Sequence, residues 1–502
     1  MGLTRILDRF WFSPRYRKLE RYADHAAEIQ QKVLHRLVAK AADTEWGRKY
    51  DFASIHSYDD FHDRLPIQTY EDIKPYVDRM RKGEQHLLWP SKISWFAKSS
   101  GTTNDKSKFL PVSRESIYDT HFQGGTDAVG LYLHMNPKSR FFEGKGVIWG
   151  GSHEPNLDGK GLVGDLSAIL MEHMPSLGAY LRVPKKEIAM MSQFEEKIEA
   201  MVEATRRVHV DSLSGVPSWM LVYLKRLLDK TGKDTVEQVW PDLEVFFHGG
   251  VAFTPYRSQY EEIIRKPDMH YVETYNASEG YFATQSNPHD PSLLLMIDYG
   301  IFYEFIPLEE VGKPEPQVIP LEEVELGKNY AMVISTSAGL WRYMIGDTVK
   351  FTSKQPYKII ITGRTKFFIN AFGEELIVDN AEKGLAKACA LTDAQIVDYT
   401  AAPVFMDSHA KCRHQWLIEF AKMPDDLHRF ATILDDTLKE VNSDYEAKRQ
   451  KDIALQPLEV IVARQGLFHD WLDHKGKLGG QHKVPRLSNN RDYIEEMLKI
   501  NS

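Results

Sequence analysis

The chain has 502 residues, 42% apolar and 27% charged, the balance of a folded soluble protein rather than a disordered one. Its 71 acidic against 63 basic residues leave a net charge of −8, which argues against a general nucleic-acid binder yet permits a local basic pocket for a small polyanion. Two cysteines, Cys389 and Cys412, are too few for a disulfide framework or a zinc site. No run of about 18 apolar residues is present to cross a membrane. The first residues lack the apolar core of a signal peptide, and Ile6 stands where a myristoylation pattern wants Ser or Thr. A reducing cytoplasm, with no membrane or nucleic-acid partner, is the expected setting. At this length one hydrophobic core stops growing, so two or more domains are expected.

In chain order, Leu19, Tyr22, Ala26, Ile29, Val33 and Leu37 make one apolar face of a helix over 17–42. Pro66 and Pro75 bracket a polar connection around Tyr70-Glu71-Asp72. A short strand over 93–97 leads into Ser99-Ser100-Gly101-Thr102-Thr103-Asn104-Asp105-Lys106-Ser107-Lys108. Helical patterns recur at 113–133, 193–207 and 217–230, with short apolar runs such as 146–149 between them. From 243 to 306 the runs shorten, and 243–247, 271–274, 293–297 and 301–305 read as strands of an α/β region. A Pro- and Glu-rich loop over 307–330 precedes strands at 330–335 and 348–351. After Gly363-Arg364 a strand at 367–370, a helix at 377–390, a strand at 415–420, a helix at 425–443 and a strand at 457–462 predict a small α+β domain. The predicted boundary is near 363–366.

Five polar segments carry chemistry. In the loop after Ser99, glycine lets backbone approach a ligand, hydroxyls and N–H groups donate to phosphate oxygens, and Lys106 and Lys108 add charge. The segment is not a Walker loop, because Lys106 follows Asp105 where a second glycine is required. By composition alone it fits a solvated turn as well. Gly249-Gly250 ends an apolar strand and suits either a flat ring lying on backbone or an ordinary strand-end turn. Ser278-Glu279, just past a strand, offers oxygen ligands of the kind Mg²⁺ prefers, or is a surface-loop acid. Asp347 suits a ribose diol, as acidic residues do in other nucleotide sites. Its structural alternative is a turn aspartate, with Arg342 in a surface salt bridge. Lys483 follows Gly479-Gly480 and is either a lysine that swings into a site or part of a solvated tail.

In order and spacing, these segments resemble the nucleotide motifs of acyl-adenylate-forming enzymes. More closely, the chain resembles the auxin-responsive acyl acid amido synthetase family, which includes plant auxin- and jasmonate-conjugating enzymes and shorter bacterial relatives. The likeness runs through Phe61 to Pro66 with Tyr70-Glu71-Asp72, Gly83-Glu84 with Leu88-Trp89-Pro90, and Trp95-Phe96-Ala97-Lys98-Ser99-Ser100-Gly101-Thr102-Thr103. It continues through Gly215-Val216-Pro217-Ser218-Trp219, Gly363-Arg364 to Phe372-Gly373-Glu374, and Lys483-Val484-Pro485-Arg486. The resemblance implies a large N-terminal adenylation domain of mixed sheets and helices over 1–363. A smaller, mobile α+β domain over 364–502 would rotate about 364–366, with Lys366 at the hinge position. It implies ATP and Mg²⁺, with Ser99, Ser100, Gly101, Thr102, Thr103 and Lys108 at the phosphates and Ser278 at the α-phosphate. Glu279 would bind the metal, Gly249, Gly250, Val251 and Tyr275 the adenine, and Asp347 and Arg364 the ribose. Lys483 would stabilise the adenylation transition state. Asn104-Asp105 departs from the glycine found in the wider superfamily. The implied reaction activates a carboxylic acid as acyl-AMP and passes it to an amine, expected to be an amino acid. An acid–CoA ligase is the rival enzyme. A non-catalytic ligand-binding relative should have lost Glu279, Asp347 or Lys483, and all three are present.

Overall fold

The computed structural model describes residues 3–99, 108–156, 161–250, 253–365, 368–369, 376–404, 413–442, 445–446, 449, 455–475, 483–488 and 491–501. The chain divides into two compact units that interleave in sequence. The first is Met1–Val251, Ile263–Ile345 and Val349–Ile360, and the second is Ala252–Glu262, Gly346–Thr348 and Ile361–Ser502.

In the first unit the expected helix over 17–42 is broken into Ser13–Glu20 and Tyr22–Ala41. The second buries Tyr22, Ala26, Val33, Leu34, Leu37 and Val38, the apolar face that the period of 3.6 requires. Gln30 on that face fastens the helix to the main sheet. Its Nε2 donates to the Ile297 and Ile301 carbonyls at 2.7 and 3.0 Å, and its Oε1 accepts from Tyr303 N at 2.9 Å. The polar connection expected around residues 70–72 is instead the start of a helix, Tyr70–Arg81. Thr69 and Asp72 mark the helix start with a capping-box pair, in which Thr69 N donates to Asp72 Oδ2 at 2.7 Å, and the helix continues past Pro75.

Among the described residues, the main sheet is twelve strands wide. Lys145–Ile148, Val210–Gly215, Val245–Gly249 and His270–Ala277 run parallel to one another, which requires a crossover connection between each consecutive pair. Gly280–Gln285 then pairs antiparallel with His270–Ala277. A four-stranded sheet holds Trp95–Ser99 between Lys108–Val112 and Leu162–Gly164. Both sheets contribute to one apolar core that includes Phe96, Leu110, Tyr275, Phe282 and Phe305.

The strand expected at 348–351 is longer, Tyr343–Lys354, and contains Gly346 at φ +88 and Asp347. Asp347 is therefore a strand residue rather than a turn residue. Arg342 just ahead of it is buried, not on the surface, with side-chain exposures of 4% for Arg342 and 1% for its partner Glu304.

In the second unit, Arg413–Lys422 lies between antiparallel Gln395–Val404 and parallel Glu459–Ala463. Alternation along the strands covers both faces. Ala401, Trp416 and Ile418 meet Leu385, Phe430 and Leu434 from the helices Val378–Thr392 and Leu427–Val441. Ala402 and Leu417 meet Leu467, Trp471, Ile494 and Met497 from Leu467–His474 and Asp492–Asn501. The fold is the expected α/β architecture with a larger N-terminal and a smaller C-terminal part.

Candidate active site

In the first unit, the strand Val245–Gly249 places His248 opposite Glu273 and Gly249 opposite Thr274. A Cβ on Gly249 would run into the Thr274 carbonyl oxygen, and Gly250 has φ +82, so this corner requires both glycines. Thr274 Oγ1 donates to the His248 carbonyl at 3.1 Å and ties the two strand ends together. The chain continues through buried Tyr275, whose ring centroid lies 4.8 Å from that of Phe282. It then turns at half-buried Ser278 and Glu279 into Gly280, which pairs with Ala277. His121, buried and pushed by desolvation down to about 4, is a neutral imidazole whose Nδ1 lies 2.9 Å from Asn276 Oδ1. It steadies the strand beside the turn.

Ser99 ends one strand and pairs with Lys108, the first residue of the next, so the hydroxyl- and glycine-rich segment connects two antiparallel neighbours. Lys108 is half-buried, with its ammonium 5.7 Å from the Tyr70 ring, and the next residue's N–H donates to Tyr70 Oη at 2.9 Å. Ser100, Gly101, Thr102, Thr103, Val251 and Lys366 lie outside the described residues.

In the second unit, Arg364 Nε lies 2.6 Å from Asp347 Oδ1, and Thr365 N donates to the Gly346 carbonyl at 2.8 Å. Lys483 is within electrostatic reach of both Asp347 and Arg364. Its position is set by the residues that follow it. Thr400 Oγ1 donates to the Pro485 carbonyl at 2.6 Å, Ala401 N to the Arg486 carbonyl at 2.9 Å, and Ser488 N to the Ala401 carbonyl at 3.0 Å. Arg486 pairs with Asp398 and stacks 4.8 Å above the Tyr399 ring. Lys483 is exposed by surface area, yet protein atoms crowd its ammonium. That desolvation, with the Arg364 charge, pushes its pKa down to about 8 against the pull of Asp347.

Sequence reasoning missed Glu273. It sits two residues before Tyr275, and burial raises its carboxyl to about 7. A lone Glu in a strand is unusual, and only the register beside His248 makes it informative. Among the described residues, no three His, Cys, Asp or Glu side chains form a metal-binding group. The hard oxygens of Glu279 and Ser278 fit Mg²⁺, an ion that takes one or two protein ligands and completes its shell with water and phosphate.

Solved structures share this architecture. The GH3.15 acyl acid amido synthetase superposes with a TM-score of 0.78 at 20% identity, covering 96% of this chain and 94% of that one. A 2-hydroxyisobutyryl-CoA ligase in its postadenylation state, in complex with 2-HIB-AMP, gives 0.58 at 12% identity over 95% and 92%. The fold is thus that of the acyl-adenylate-forming enzymes. Residues 15–269 match the GH3 family N-terminal domain, 294–364 its central domain and 379–492 its C-terminal domain, and the chain belongs to the GH3 family. Among curated relatives, the probable indole-3-acetic acid-amido synthetase GH3.1 of Arabidopsis thaliana is 24% identical over 95% of this chain and 92% of its own length. The jasmonoyl--L-amino acid synthetase JAR4 of Nicotiana attenuata is 26% identical over 92% and 91%.

Proposed function

We propose that this protein is an ATP-dependent acyl acid amido synthetase. A substrate carboxylate attacks the α-phosphate of ATP and expels pyrophosphate. An amine, which we take to be an amino acid, then attacks the acyl-adenylate to give an amide and AMP. The observation that carries the reading is the convergence of the Asp347–Arg364 pair with Lys483, distant from both in sequence, in one electrostatic cluster of the second unit. Membership of a family whose curated relatives carry amido synthetase names supports it.

Each residue has a chemical task in this reading. Gly249 and Gly250 leave the backbone bare for adenine beside Tyr275, and Asp347 accepts from the ribose hydroxyls while Arg364 orients it. Ser278, Ser99 to Thr103 and Lys108 hold phosphate oxygens. Glu279 would hold Mg²⁺, which when bound neutralises phosphate charge. The first step needs no side-chain nucleophile, only in-line positioning and neutralisation of charge as pyrophosphate leaves. Lys483 supplies a donor for that moment from the part of the chain assigned to the C-terminal domain, 364–502. The remaining site residues fall within 1–363, apart from Arg364 and the hinge residue Lys366.

Acid-dependent ATP–pyrophosphate exchange tests the first half-reaction, and we expect it to be lost in Lys483→Ala and Glu279→Ala. No exchange with any member of a broad carboxylic acid panel counts against adenylation. Mass spectrometry of products formed with mixed amino acids or with coenzyme A tests the second half. A thioester without an amide would overturn the amide reading in favour of an acid–CoA ligase.

A further inference from the structure

The helical segment Leu3–Phe12, unused by the reading above, is fixed on one side and bare on the other. Its inner side is anchored. Phe12 packs with Ala128, Val129, Tyr132 and Phe141, with Leu7 against the same cluster. Buried Thr4 accepts from Phe142 N at 3.4 Å, and Ser13 Oγ donates to Asp8 Oδ1 at 3.2 Å. The outer side presents Ile6, Phe10 and Trp11 at 43%, 75% and 65% exposure, and Phe10 is the most exposed of the large apolar residues described. Ile6 and Phe10 are four residues apart and share a face, so these side chains form a ridge on a helix that packing holds in place.

Charge tells what this ridge is built to meet. Residues 3–21 carry six basic side chains, Arg5, Arg9, Arg15, Arg17, Lys18 and Arg21, against two acidic ones, Asp8 and Glu20, in a chain of net charge −8. Only Arg15 turns inward, to Asp127 and Asp298, both at 2.8 Å. Arg5, Arg9, Arg17, Lys18 and Arg21 are exposed. A second copy of the same surface would bring these cations against one another. Aromatic side chains beside arginines on a short amphipathic helix suit the headgroup region of a bilayer, where rings enter the acyl boundary and cations meet anionic lipids.

We propose that the Leu3–Phe12 helix docks this protein reversibly on anionic lipid surfaces, with Phe10 and Trp11 inserted and Arg5 and Arg9 at the headgroups. The docking is peripheral. Co-sedimentation of the full chain with vesicles of phosphatidylcholine alone, and of phosphatidylcholine with about a third phosphatidylglycerol, tests it. Binding to the mixed vesicles is expected to exceed binding to the neutral ones. It should weaken with added salt and fall by about tenfold or more in Phe10→Ser/Trp11→Ser and, separately, in Arg5→Gln/Arg9→Gln. Equal binding by wild type and both double variants would overturn the proposal, as would no binding to the anionic vesicles. Light scattering that shows a concentration-dependent dimer lost in Phe10→Ser/Trp11→Ser would also overturn it, assigning the ridge to self-association.

Discussion

Two arginine–carboxylate pairs lie near each other in sequence and are built to opposite specifications. Arg342 holds Glu304 through two contacts, Nε to Oε2 at 3.0 Å and Nη2 to Oε1 at 2.9 Å, and its Nη1 donates to the carbonyls of His62, at 2.7 Å, and Leu65. Tyr58 Oη adds a bond to the same carboxylate at 3.1 Å. The pair is sealed from solvent, and the Arg342 Nε and Nη1 groups and the Glu304 carboxylate are all engaged by protein groups. Arg364 and Asp347 share a short contact of 2.6 Å, but the arginine side chain is 39% exposed and the aspartate 14%. Sealing commits a charge pair to structure, whereas partial exposure leaves one able to receive a ligand.

The comparison predicts that stability and activity separate between the pairs. The largest effect is expected from Arg342→Met, which strands the Glu304 carboxylate in the interior. About 3–5 kcal/mol of folding free energy should be lost in urea titration, as for other broken buried pairs. A loss below about 1 kcal/mol, the range of exposed pairs, would break the distinction. Next comes Lys483→Ala, expected to lower ATP–pyrophosphate exchange about a hundredfold, or ~3 kcal/mol in the barrier, while the thermal midpoint stays in place. The sign of its pH dependence follows from its lowered pKa. Lys483 is charged below about 8 and neutral above, so exchange by the wild type should fall as pH rises through that value. The alanine variant should lack this limb, and an unchanged profile would remove Lys483 from the charge-stabilising role. A smaller effect is expected from Arg364→Met, which should raise KM for ATP about tenfold and cost less than about 1 kcal/mol of stability. A large stability loss with unchanged KM would make this pair structural as well.

These pairs also show what the sequence can and cannot disclose. Segments whose placement is local were readable: Gly249-Gly250 at a strand end, Ser278-Glu279 in the following turn, and the apolar face of Tyr22–Ala41. Burial of Arg342 was not, because an arginine five residues before an aspartate gives no sign that its partner is Glu304, thirty-eight positions earlier. The strand Gln395–Val404 escaped for a related reason. Its Ala401 and Ala402 are small, and they are buried by two layers of helices that local pattern does not reveal. The interleaving of 252–262 and 346–348 with the second unit is a property of contacts distant in sequence. Glu273 was missed because its significance lies in the register of neighbouring strands.

Glu273 supplies an intermediate case, a half-buried carboxyl whose raised pKa is due to desolvation alone. Its folded pKa of about 7 exceeds the unfolded value near 4.5. The folded state therefore holds a proton that the unfolded state releases. The stability this contributes is fully present below about 4.5 and is lost as pH rises through about 7. Glu273→Gln cannot ionise and should be nearly neutral in stability at pH 5. At pH 8 it should be more stable than the wild type by on the order of 1 kcal/mol, with partial exposure softening the ionised form's penalty. Urea titrations at the two pH values measure this difference. A glutamine variant equally destabilised at both would mean that the carboxylate is ionised and paired throughout, which would place Glu273 with the sealed Glu304 rather than between the two pairs.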